Sequence, residues 1–106
     1  MFTKRALKSH IEAFIRDLKQ NGYSPDRVIL FGSYANGSPN KMSDIDLAVW
    51  DEKFTGCGSV DVEPIKHLLT RYHPIELHTF CTQDTDDTPF VKEILRSGLS
   101  FTGTQT

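Results

Sequence analysis

The 106-residue chain sets 12 lysines and arginines against 14 aspartates and glutamates, for a net charge of −2. That near balance disfavours a general nucleic-acid binder, which carries a basic excess or stripe, so no direct nucleic-acid contact is expected. No apolar run approaches the roughly 18–20 residues of a membrane span, and no membrane contact is expected. The length suits one domain over residues 1–106 with a single modest core. The first residues lack the uninterrupted apolar stretch of a signal peptide. Cys57 and Cys81 form neither a Cys-x-x-Cys pair nor a metal-ligand cluster. A cytoplasmic protein with free thiols is therefore expected.

Leu7, Ile11, Phe14, Ile15 and Leu18 recur on one helical stripe, which predicts an amphipathic helix. Asn21-Gly22 ends it. Ser24-Pro25-Asp26 is a turn, and Arg27 to Phe31 reads as a buried strand. After Gly32-Ser33, Tyr34-Ala35-Asn36 can form one helical turn before Gly37-Ser38-Pro39-Asn40 breaks it. Asp44 to Trp50 is the second strand. Gly56-Cys57-Gly58-Ser59 is a flexible connector to a helix beginning near Asp61–Pro64. Val62, Ile65, Leu68, Leu69 and Tyr72 keep helical spacing along it. Pro74 closes it, and Ile75 to Phe80 is a third strand with Glu76 and His78 on one face. The acidic run Thr82 to Thr88, with Asp84, Asp86 and Asp87, is a solvated loop. Thr88 then caps a last helix that has Pro89 at its first position, Phe90, Ile94 and Leu95 facing inward, and Gly98 at its end. This order predicts an α/β (α+β) domain: a mixed sheet of three strands, or four, with helices on one face and the carboxylate face left open.

Asp44 and Asp46 flank a single isoleucine, so on a strand both point the same way. Two carboxylates side by side repel, and such pairs neutralise by taking a proton or binding a cation. Alone, two same-face aspartates are ordinarily just solvent-facing. Here Leu47-Ala48-Val49-Trp50 makes the strand apolar, and aspartate is a poor strand former, which favours a metal. Mg²⁺ fits, because hard oxygen ligands hold it together with substrate phosphates. The Gly32-Ser33 turn upstream can offer backbone N–H groups and a hydroxyl to those phosphates. His10, His67, His73 and His78 show no metal-binding spacing; His78, sharing a strand face with Glu76, either lines the site or, as the preferred reading, is a satisfied structural histidine. Tyr34 either touches nucleotide or packs beside the turn.

Gly32, Ser33, Gly37, Ser43, Asp44, Asp46 and Leu47 together resemble the signature of the polymerase-β-like nucleotidyltransferase superfamily: a Gly-Ser turn with a second glycine, then Asp-x-Asp in a short apolar strand. In so short a chain the pattern looks like the minimal nucleotidyltransferase subgroup, often encoded beside a HEPN-domain partner. The resemblance implies two Mg²⁺ ions clamping a nucleoside triphosphate, with ATP as substrate. It implies Asp44, Asp46 and Glu76 as metal ligands and catalytic residues, and Gly32, Ser33, Lys41 and Ser43 as nucleotide contacts. Superfamily members usually carry aspartate where Glu76 stands and a basic residue where Asn36 stands. Lys41 can replace that charge, and Glu76 can still hold a metal and take a proton, or it marks reduced activity. The implied activity is transfer of AMP to a hydroxyl of a HEPN-type toxin, with this chain as its antitoxin. The alternative is a binding subunit that neutralises its partner by docking.

Overall fold

The computed structural model describes residues 2–82 and 88–101. Helix α1 spans Lys4–Gln20, with the Thr3 hydroxyl accepting from the Ala6 N–H at its start. Asn21 and then Gly22, at φ 94°, end it. The five residues of the predicted stripe are its buried ones. Strand β1 (Arg27–Phe31) leads into the four-residue helix α2 (Ser33–Asn36), and β2 covers Ile45–Asp51. Helices α3 (Gly58–Asp61) and α4 (Lys66–Arg71), β3 (Ile75–Cys81), α5 (Pro89–Ser97) and β4 (Leu99–Ser100) follow.

The sheet order is β3-β2-β1-β4. β1 runs antiparallel to β2 and to β4, whereas β2 and β3 are parallel. The sheet is therefore mixed and four-stranded, the closing Leu99–Ser100 segment supplying the fourth strand. On one face Val28, Leu30, Ile45, Leu47 and Val49 pack with the α1 stripe and with Ile65 and Leu68. On the other, Ile29, Ala48 and Trp50 meet Val91 and Ile94 of α5.

Three local expectations change. The helix expected from about Asp61 to Tyr72 is broken into α3, a 3₁₀ turn at Glu63–Ile65, and α4. Pro64 lacks an N–H, and its ring opposes helical geometry in the residue before it. On α5, Val91 and Ile94 are buried but Phe90 and Leu95 are exposed: the helix turns its i, i+3 pair to the sheet, and the flanking positions fall to either side. The carboxylate face is thus partly covered, since α5 occupies the end that carries Ile29, Ala48 and Trp50. The Thr88 cap is as expected, its hydroxyl accepting from the Val91 N–H. Asp84, Asp86 and Asp87 lie outside the described residues. No helix among the described residues is long and apolar enough to cross a membrane, and Cys57 and Cys81 are not joined in a disulfide.

The start of β3 is tied to α1. The Tyr72 hydroxyl donates to Asp17 at 2.6 Å, and Arg71 pairs with the same carboxylate at 3.1 Å. The Tyr72 carbonyl accepts from both His10 Nε2 and the Ile75 N–H. The Pro74 carbonyl then accepts from the Ile45 N–H at 3.0 Å, joining the first residue of β2 to the loop that enters β3. These bonds fix where β3 begins alongside β2, and hence which side chains face each other.

Candidate metal and nucleotide site

β1 ends at Phe31, and Gly32 turns the chain at φ 80°, ψ −155°. A Cβ built on Gly32 would fall on the Asp46 carboxylate, at Oδ2. Glycine is required twice over, for the positive φ and for the side chain lying against it. Directly across the sheet, Asp46 is in register with Glu76 and Ala48 with His78. In a parallel pair in-register residues share a face, so Asp46, Glu76 and His78 stand together above the small Ala48.

One ligand atom from each of Asp46, Glu76 and His78 lies within 4.8 Å of the others. His78 Nε2 sits 3.5 Å from Asp46 Oδ1 and 3.5 Å from Glu76 Oε1. That atom is buried and has no hydrogen-bond partner among the described residues. The expectation of a satisfied structural histidine is overturned: its ring is packed, 4.9 Å from Phe31 and 6.1 Å from Phe90, while its nitrogen is aimed between two carboxylates. The Asp46 carboxyl is held above its ordinary value, first by burial and then by the adjacent Glu76, with His78 pulling it partly back. A dication would relieve that repulsion and give the orphaned nitrogen a partner. By donor set and geometry, these three residues fit a divalent metal.

Asp44 is exposed and precedes the first residue of β2. It is not among those three; it lines a neighbouring cavity of about 390 Å³ together with Glu76, His73 and apolar Val62, Leu69 and Leu77. Glu76 therefore belongs to both places. Ser33 is the first residue of α2 and half-buried, and its carbonyl accepts from the Ser38 N–H. Ser43 is engaged locally, its hydroxyl accepting from the Asn40 N–H at 2.9 Å. Lys41 and Asn36 are exposed. The Tyr34 hydroxyl accepts from the Phe2 N–H at 3.2 Å, so Tyr34 packs beside the turn and anchors the segment ahead of α1.

Strand alternation sets Glu76 and His78 on one face, but the residue that completes the set, Asp46, lies on another strand and is brought in only by the pairing of β2 with β3.

Residues 11–97 match the family model described as nucleotidyltransferase domain. No curated protein matches the chain.

Proposed function

The chain belongs to the nucleotidyltransferase domain family, within the polymerase-β-like superfamily, and from that premise we propose that it transfers AMP from ATP to a hydroxyl of a partner protein. The acceptor oxygen bonds to the α-phosphorus, the bond from that phosphorus to the bridging oxygen of the β-phosphate breaks, and pyrophosphate leaves. Mg²⁺, when bound with the nucleotide, supplies the charge that neutralises the triphosphate and polarises its α-phosphate. Asp46 and Glu76 are the residues that would hold it, with Asp44 joining from the neighbouring loop. Gly32 keeps the space over Asp46 clear, and Ser33 faces the phosphates at the start of α2. Glu76 takes the proton of the acceptor hydroxyl, and the cavity it shares with Asp44 admits the acceptor side chain.

One observation carries this reading: Asp46 lies in register with Glu76, with Gly32 closed against it from the end of β1. We place the chain in the minimal nucleotidyltransferase subgroup, as an antitoxin that silences a HEPN-family toxin in the cytoplasm. Its resemblance to that subgroup supports the partner. Glu76 and Asn36, at positions where the superfamily carries aspartate and a basic residue, favour a second reading in which the chain neutralises its partner by docking alone.

The test is to incubate the HEPN-family protein with this chain, ATP and Mg²⁺, and to weigh it intact. Added mass in AMP units, lost with Glu76→Gln while complex formation persists, supports transfer. Tight complex formation and neutralisation with no added mass favour docking.

A further inference from the structure

The geometry points to a mixed nitrogen–oxygen metal site at Asp46, Glu76 and His78 that takes a first-row transition-metal dication, Zn²⁺ or Co²⁺, without any nucleotide. It shares two ligands with the transfer reading above but does not depend on the reaction.

Three observations meet here. His78 Nε2 is 3.5 Å from an oxygen of each carboxylate. A tetrahedral ion with bonds of about 2.0–2.1 Å holds its ligand atoms about 3.4 Å apart, whereas neighbouring ligands of octahedral Mg²⁺ sit about 2.9 Å apart. The spacing to the imidazole is thus that of a tetrahedral edge. Second, Nε2 is shielded from solvent and has no hydrogen-bond partner among the described residues, and the charged groups it faces are the two carboxylates themselves. Third, the ring packs against Phe31 and Phe90, which also contact each other, and this aromatic backing restricts the imidazole and lowers the entropy lost on coordination.

Donor chemistry then separates the cations. Imidazole suits zinc, cobalt and copper and adds little for Mg²⁺, which prefers oxygen and keeps its waters. Two carboxylates and one imidazole also make the three-ligand set that leaves a fourth position open on zinc. Mg²⁺ would need phosphate oxygens to complete its shell, while the transition metal has enough protein ligands to bind alone.

The experiment titrates the metal-free chain with Zn²⁺ and, separately, with Mg²⁺ by calorimetry, and records the visible spectrum with Co²⁺, all without nucleotide. A double variant, Cys57→Ser with Cys81→Ser, removes thiol binding as a source of signal. We expect one equivalent of Zn²⁺, at least a hundredfold tighter than Mg²⁺, and the intense visible bands of four-coordinate cobalt, both kept in the cysteine variant. His78→Phe retains the ring packing without a nitrogen and should weaken Zn²⁺ at least tenfold and bleach the cobalt bands. His78→Gln provides the same comparison should the phenyl ring disturb folding. Unchanged zinc affinity in both histidine variants, or zinc binding that disappears with the cysteines, overturns the site. Intact-mass transfer with Mg²⁺ is scored separately: zinc binding that depends on His78 stands whether or not AMP is transferred.

Discussion

Two carboxylates packed against β3 live in opposite surroundings. Asp61, at the end of α3, is buried and accepts from the Thr55 N–H and hydroxyl, the Gly56 N–H and the Thr79 hydroxyl, at 2.7–3.0 Å. Burial pushes its carboxyl up, but those donors outweigh burial and hold it below the ordinary value. Asp46, on the other face of the sheet, is pushed up by burial and by Glu76, with an imidazole nitrogen too far away to satisfy either. The first arrangement is complete in itself and pins the 55–61 loop to β3. The second is electrostatically incomplete, which is the state expected of a site built to receive a cation.

The sharpest way to break that contrast is to remove the complete half. Asp61→Ala leaves buried donors on Thr55, Gly56 and Thr79 without an acceptor, and should lower stability by about 3 kcal/mol in urea unfolding. Gly32→Ala attacks the incomplete half through its backbone. A methyl group in a positive-φ position, against the Asp46 carboxylate, should cost about 2 kcal/mol and, under the proposed function, also abolish the rise in melting temperature expected on adding Mg²⁺ with ATP. A smaller effect of reversed sign is expected for Asp46→Asn. Without metal it removes a like-charge repulsion and should raise stability at neutral pH by up to about 1 kcal/mol, read as a higher melting temperature.

Acid sharpens the comparison last. Asp61's depressed folded pKa contributes stability that is present above the unfolded value, about 3.9, and is lost as pH falls through the folded value. Asp46 has the opposite sign: its raised folded pKa contributes stability below about 3.9 that is lost as pH rises through the folded value. The advantage of Asp46→Asn over wild type should therefore shrink to nothing as pH is lowered to about 3.9, while wild type's advantage over Asp61→Ala persists at that pH and falls only below it. Melting temperatures across pH 3 to 7, on the order of one degree per step, would test both signs.

Much of this could be read from the chain because the controlling physics is local. Arg27–Phe31 is bounded by turn residues on both sides and folds as the strand its composition predicts; the α1 stripe needs only its own periodicity. Gly32 stands out because a glycine between an apolar strand and Asp-x-Asp suggests a close approach. What escaped was set at long range. Asp61 looked like the start of a helix, and its role depends on Thr79, 18 residues away. His78 could be set beside Glu76 by strand alternation, but only the parallel pairing of β2 with β3 brings it over Ala48 and next to Asp46 as well. The outward turn of Phe90 and Leu95 follows from where α5 settles on the sheet, which its own pattern of four apolar residues, Phe90, Val91, Ile94 and Leu95, does not specify.

The parallel register of β2 and β3 carries one more consequence. The chain between these strands runs through residues 52–74, and the register is set by the bonds at the entry to β3 and by the buried face of the sheet. A slip of one residue would set Asp46 opposite Ile75 or Leu77 in place of Glu76. An ion coordinated from both strands binds the native alignment alone, and at a hundredfold excess over its dissociation constant it favours that alignment by about 2.7 kcal/mol. Such an ion would act as a dowel between two strands, and adding a chelator should speed amide exchange along β2 and β3 while leaving the middle of α1 unchanged.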